Sequence, residues 1–189
     1  MKDLEETTKL SGVIYPLSIP MPADTSVASA VDAYLSENGF KRADYDAPSV
    51  KVTFWGISFT VPNPPTRQIG VRFHDLHHIA TGYGTDPTGE AEISAWELGN
   101  GLGVFSGIYV KGIVTSGFLF GLIHSPLRTY AAWRVGRRGP GLIPLSMGVY
   151  EELLQLTVAE LRARYGVPAS GIATARRLHY DAPSNSKSA

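Results

Sequence analysis

The stretch RFHDLHHIATGYGTDPTGEAEISAWE, residues 72 to 97, holds three of the chain's five histidines: His74, His77 and His78. Asp75 lies among them, and Glu90, Glu92 and Glu97 follow. On a helix, His74 and His78 are four apart and project from one face, one turn above the other. Asp75 comes three before His78, so its carboxylate can swing to the same edge. Two imidazoles and a carboxylate at that spacing form a ligand set of the hard-to-borderline kind. A fourth ligand has to come from another segment. Glu90 is the best placed, in the first turn of a following helix that a short loop returns toward the first. A helix N-terminus also favours an ionised carboxylate. The expected site is His74, Asp75, His78 and Glu90, an N2O2 set that suits Zn²⁺ and is open to Fe²⁺ or Mn²⁺.

The alternative is a solvated helix carrying two surface histidines. His77 reads as a residue of the helix's other side, with two further roles open to it: support behind a ligand, or substitution for one. Glu92 points away from Glu90 on helical geometry and is expected in solvent. Rival motifs fit less well. The H-E-x-x-H pattern of zinc proteases needs Glu as general base where this chain has Asp75. HDLHH also fits the H-x-x-H-H box of membrane di-iron enzymes, but those need roughly eight histidines, and the chain has five. Phosphohydrolases with an adjacent His-Asp need a histidine well upstream, and none precedes His74.

The elements that position these residues follow from pattern. Residues 10 to 23 carry three prolines and read as an extended arm. DTSVASAVDAYLSENG reads as a helix capped by Asp24 or Thr25, with Val27, Ala30, Val31, Tyr34 and Leu35 as its apolar stripe and Gly39 as its exit. VKVTFWGISFTV alternates on either side of Gly56, as a short hairpin or a bulged strand does. PNPPT breaks the chain, and a helical pattern sets in from about Gly70. Asp86-Pro87 opens a second helix that runs to about residue 98.

Residues 99 to 123 are apolar except for Lys111 and approach the length of a membrane span, with Gly99, Gly103 and Gly107 at GxxxG spacing. Seven glycines weaken such a helix, each by up to ~1 kcal/mol. The segment therefore reads as buried helix lining an apolar cavity. LSMGVYEELLQL is a further helix, and Thr157 with Glu160 forms a capping box for a last one ending at Gly166. APSNSKSA reads as a disordered tail. Trp55, Trp96 and Trp133 are expected in the core or a groove, His124 as a cap or packing residue, and His179 as exposed.

Composition sets the class. At 189 residues the chain is long enough for one domain with a real core. It has no cysteine, which excludes disulfides and thiolate metal sites. The N-terminus is charged and shows no signal-peptide pattern, so a cytoplasmic protein is expected, or one held peripherally on the inner face of a membrane. The formal net charge is zero, and no nucleic-acid partner is expected. Residues 1 to 97 carry seven Lys/Arg against thirteen Asp/Glu, whereas 98 to 150 carry Lys111, Arg128, Arg134, Arg137 and Arg138 and no acid. An acidic half with the histidines and a basic, apolar middle suggest two differently used surfaces, the second suited to lipid headgroups.

His74-Asp75-x-x-His78, eleven residues, then Glu90 resembles, without a gap, the signature of the Coq-four family of coenzyme Q (ubiquinone) biosynthesis proteins. Gly89 before the Glu, the pair Trp96-Glu97, Trp133 ahead of Gly136 to Arg138, and YEE leading to LRARYGV agree in order. The resemblance covers roughly residues 70 to 168; the N-terminal 65 residues, His77 and Glu92 depart from it. It implies a helical protein that binds Zn²⁺ through His74, Asp75, His78 and Glu90, associates peripherally with membranes and holds prenylated lipid in an apolar groove. It further implies work beside other quinone-biosynthesis proteins, or as a homodimer, in removing the ring carboxyl of a polyprenylated hydroxybenzoate.

The expected architecture is mainly α: a single-domain helical bundle with an apolar lipid groove and a short N-terminal hairpin. Residues 1–69 form the arm, helix and hairpin, 70–168 the metal-binding core, and 169–189 the tail. Two functions are open. One is a zinc-dependent lyase, a decarboxylase of prenyl-quinone synthesis. The other is a non-catalytic lipid-binding or scaffold protein whose metal pins two helices, toward which four protein ligands lean.

Overall fold

Helix α1 (Val27–Glu37) buries Val27, Ala30, Val31 and Leu35, the stripe its apolar spacing dictates. Its cap is Ser26 rather than Asp24 or Thr25. The Ser26 side chain accepts from the Ser29 N–H, and Ser26 also bridges to Thr157 far along the chain. A long-range contact thus chooses among three adjacent capping residues. A 3-10 turn, Arg42–Asp46, follows, which the sequence pattern does not announce, and it buries Tyr45. The expected hairpin is present: β1 (Ser49–Phe54) pairs antiparallel with β2 (Ile57–Pro62) from Ser49↔Pro62 to Phe54↔Ile57.

This computed structural model describes residues 21–54, 57–102 and 108–173. Most of the proline-rich arm, Trp55, Gly103, Gly107, His179 and the C-terminal tail lie outside them.

Helix α2 (Pro65–Thr81) starts five residues before the helical pattern is evident. The prolines that read as a break are its start: Pro64 is an extended N-cap and Pro65 takes the first helical position, where its missing N–H costs nothing. From Arg72 to Thr81 every residue except His74 is buried. A helix carrying Arg72, Asp75, His77 and His78 is therefore enclosed, and each polar group has to be met by protein. Gly82, at φ 76°, turns the chain out. Helix α3 (Pro87–Asn100) opens as its spacing predicts, with the Asp86 side chain accepting from the Thr88 and Gly89 N–H groups.

Helices α4 (Ile108–His124), α5 (Pro126–Gly136), α6 (Met147–Leu154) and α7 (Val158–Arg164) complete the described bundle. The Thr157–Glu160 capping box opens α7 as expected. Phe73, Leu76, Ile93, Trp96, Leu153, Leu161 and Tyr165 make its largest fully buried apolar positions. Arg162, also buried, reaches the carbonyls of Met21, Ala80 and Ala169 and ties both ends of the described chain to α2.

Small residues let α3, α4 and α5 come together closely. A Cβ at Gly117 would lie 2.3 Å from Ser94 Oγ, and one at Gly121 2.6 Å from Ala91 Cβ. A Cβ at Gly136 would meet the Trp96 carbonyl at 2.2 Å. Gly117 and Gly121 are thus the GxxxG pair in use on α4, while Gly99 packs against the Trp133 carbonyl on α5.

The reading of residues 99 to 123 as buried helix is corrected here. Only one side of α4 is covered; Ile113, Leu119, Leu122 and Ile123 are exposed, as are Leu127 and Tyr130 of α5. The physical reason is that Val110, Val114, Gly117 and Gly121 form the packed side, so Ile113, Leu119, Leu122 and Ile123 fall on the other. No helix among the described residues is long and apolar enough to cross a membrane. Trp96 is in the core and Trp133 packs against it, while His124 is exposed and stacks on Phe120.

Gly136→Ala is expected to destabilise the protein by about 2–3 kcal/mol, because the obstacle is backbone that cannot turn aside. Gly112→Ala, on α4 with nothing within 4 Å of an added Cβ, is expected to be neutral or to stabilise by up to ~1 kcal/mol. Urea midpoints of the two variants check the pair.

Candidate metal centre

Two helices and a pinned loop assemble the site. The α2–α3 connection is tight: a Cβ at Gly89 would stand 2.0 Å from the Gly84 carbonyl, so the residue before Glu90 has to be glycine. The Asp86 cap then aims the first turn of α3 back at α2, and Glu90 meets the histidines there.

His74 Nε2 and His78 Nε2 are 3.2 Å apart. Glu90 places Oε2 at 3.4 Å from the first and Oε1 at 3.5 Å from the second. Three donor atoms at 2.0–2.1 Å from one tetrahedral ion would be separated by about 3.3–3.4 Å. The two imidazole nitrogens stand close to that edge length, and each Glu90 oxygen lies at about that distance from one of them. These three residues are the group among the described residues able to hold a metal ion.

Each imidazole is oriented from behind. His78 Nδ1–H donates to the Tyr83 carbonyl at 3.0 Å, and its ring stacks on Tyr34. His74 Nδ1–H donates to Glu97 Oε1 at 2.8 Å. Both rings therefore turn Nε2, the atom a metal ion would take, toward Glu90. Such hydrogen bonds fix the tautomer of a metal-binding histidine and raise its basicity.

Of the expected ligands, the structure brings His74, His78 and Glu90 together and sets Asp75 beside them. The Asp75 Oδ2 accepts a 2.5 Å hydrogen bond from Tyr45. Helical geometry accounts for this, because one residue is a step of about 100° round the axis. His77 is fully buried, and its Nδ1–H donates at 2.7 Å to the same Glu97 oxygen that holds His74. Glu92 is not in solvent as expected: it is buried, and Arg128 donates to both of its oxygens, at 3.1 and 2.7 Å. Packing of α5 across α3 brings that guanidinium over it. Lys111, Arg134, Arg137 and Arg138 are exposed, with Arg137 over the Trp133 ring.

Two contributors went unassigned in the sequence. Glu97 stands seven residues after Glu90, two turns along the same face of α3, which is a usable signal. Tyr45 leaves none, since it comes from a 3-10 turn thirty residues from Asp75.

Electrostatics follow from the burial. Burial opposes the charge of His74, but Glu97 and Glu90 outweigh it and hold the imidazole well above its ordinary value. Burial lowers His77 and His78, disfavouring their charged forms. Glu97, despite burial, is held well below the usual carboxylate range by His74 and His77. Burial pushes Asp75 up to about 6 against the pull of the Tyr45 hydrogen bond.

Compared with protein-family models, curated proteins and solved structures, the chain gives no match.

A proton on His74 Nε2 would occupy the place between Glu90 and His78 that an ion would take. Metal and proton compete for that nitrogen, and His74's value is raised. Zn²⁺ affinity is therefore expected to fall with acidification, by about tenfold per pH unit below the His74 value, with about one proton released per ion bound. Chelator competition across about pH 6 to 8.5, with proton release measured in weak buffer, checks both the sign and the stoichiometry.

Proposed function

We propose that this chain is a metal-dependent enzyme of prenyl-quinone metabolism, whose His74–His78–Glu90 centre serves in decarboxylating a polyprenylated hydroxybenzoate-type acid. One observation carries the catalytic side of this reading. Among the described residues three donors converge rather than four, and Glu90, the ligand nearest solvent, is half exposed. Catalytic zinc sites have three protein ligands and one position for water or substrate, whereas structural sites are closed by four. The substrate class rests on the spacing from His74 to Glu90, which resembles that of the Coq-four family.

His74, His78 and Glu90 suit Zn²⁺ in donor type and spacing, with Fe²⁺ and Mn²⁺ as the next candidates. A divalent ion there supplies positive charge for the carboxylate or phenolate of an aromatic acid. Glu97 and the Tyr83 carbonyl hold the two imidazoles in place, so little reorganisation accompanies substrate binding. In the reaction the bond between ring and carboxyl carbon breaks, its electron pair stays with the ring, and CO₂ leaves. The ring carbon takes a proton from water at the exposed side of Glu90, and no oxidant is consumed.

A lipid substrate needs a route from a membrane. The exposed Ile113, Leu119, Leu122, Ile123, Leu127 and Tyr130 form an apolar face. Lys111, Arg134, Arg137 and Arg138 are exposed in the same acid-free region, 98 to 150. Apolar surface beside basic side chains supports peripheral docking on anionic lipid, each charge contributing ~1 kcal/mol near such a surface.

Glu90→Ala is expected to lose bound zinc and CO₂ release together from a polyprenylated hydroxybenzoate presented in vesicles, with elemental analysis and CO₂ trapping as the readouts. Wild type that holds zinc and lipid but releases no CO₂ would establish the non-catalytic lipid-binding alternative instead. The double variant Ile123→Glu, Leu127→Glu is expected to stop co-flotation with anionic vesicles while leaving zinc content unchanged. Retained flotation, or a shift from dimer to monomer in solution, would assign the apolar face to another partner.

A further inference from the structure

The side of His74 turned away from Glu90 carries more than one helix's worth of polar machinery. Glu97 is fully buried, and its Oε1 receives two N–H groups, from His74 at 2.8 Å and His77 at 2.7 Å. Its other oxygen, Oε2, meets no donor among the described residues, and no Lys or Arg pairs with it there. A carboxylate buried for the sake of the fold is ordinarily matched by a guanidinium or ammonium, as Glu92 is by Arg128. Glu97 instead directs its hydrogen bonding at two imidazoles, one of which belongs to the candidate metal centre.

We propose that Glu97 is a positioning residue for His74, and that His77 holds Glu97 in register by donating to the same oxygen. The inference rests on the metal-centre reading above and deepens it.

The geometry gives each residue a distinct task. An imidazole that is free to choose places its proton on either nitrogen, and a proton on Nε2 blocks ligation. Glu97 can only accept, so it requires the His74 proton on Nδ1 and leaves the Nε2 lone pair facing Glu90 and His78. One hydrogen bond, however, sets the distance to a carboxylate oxygen and not its direction. The second donor supplies that, because His77 cannot turn: its ring meets Trp96 edge-on at 5.3 Å and Tyr165 at 4.9 Å. His77 thus transmits the rigidity of the Trp96–Tyr165 core to Glu97, and Glu97 transmits it to a ligand.

The test uses the full chain with Zn²⁺ and Co²⁺ as probes. Glu97→Gln is expected to weaken Zn²⁺ binding by about 10- to 100-fold, the range found for partners that orient metal-bound histidines. His77→Phe, which keeps a ring between Trp96 and Tyr165 and removes the donor, is expected to weaken it by about tenfold. Both should shift the ligand-field bands of the Co²⁺ form. At a pH above the His74 value, imidazole ¹⁵N spectra of the metal-free protein should show the single remaining His74 proton on Nδ1 in wild type and spread over both nitrogens in Glu97→Gln.

A folded Glu97→Gln that binds Zn²⁺ within twofold of wild type and keeps the same His74 tautomer overturns the proposal and leaves the metal centre standing. If Glu97→Gln does not fold, His77→Phe decides: unchanged affinity and Co²⁺ spectrum overturn it, and a loss in both upholds it. Wild type that takes up neither ion removes the metal centre and this inference together.

Discussion

A carboxylate deep inside a protein has to gather donors or give up its charge, and Glu97 gathers two imidazoles. Much of the arrangement around it depends on that contact. It ties α3 to α2 at the point where α2 is most enclosed, and it decides which way His74 presents its ring. It also explains why a helix rich in histidine can be buried at all. Along α2, each polar side chain is met by a specific partner: Arg72 by Asp46 and the face of Tyr45, Asp75 by the Tyr45 hydroxyl, His78 by the Tyr83 carbonyl. Half-satisfied, such a set would be worse than an apolar helix, so the neighbours of α2 are constrained by chemistry as much as by shape.

Helix α3 carries the opposite burden. One side of it presents Glu90 and Glu97 to the histidines; the rest presents Ala91, Ser94 and its own backbone to the glycines of α4 and α5. Close helix approach needs small residues on at least one partner, and here α4 and α5 supply them at Gly117, Gly121 and Gly136. The consequence reaches the surface. With Gly117 and Gly121 turned inward, α4 leaves Ile113, Leu119, Leu122 and Ile123 for the outside, and Ile123 is 86% exposed. Site and apolar face are thus two products of the same packing of α3.

Parts of this were legible in the chain. The His74–His78 pair and Glu90 could be grouped because both spacings are local: one helical turn, and a helix start marked by Asp86-Pro87. The mainly helical class, the pairing of β1 with β2 and the Thr157–Glu160 capping box were equally local. What misled were positions whose fate depends on distant chain. Glu92 looks solvated until α5 lays Arg128 over it, thirty-six residues away. Pro64 and Pro65 look like a break until the next residues prove helical. The apolar run from 99 to 123 looks buried because composition says how apolar a segment is and not which of its sides is covered.

By itself, the sequence determined the donor types, their order along two helices and the turn that returns one helix to the other, since these follow from periodicity and capping over a few residues. Only the tertiary structure decided that three donors converge while Asp75 turns to Tyr45, that Glu97 and His77 stand behind His74, and that the middle of the chain shows an apolar face. Those outcomes hang on contacts between residues far apart in the chain, and the angular position of a side chain about its own helix does not say what another helix will bring against it.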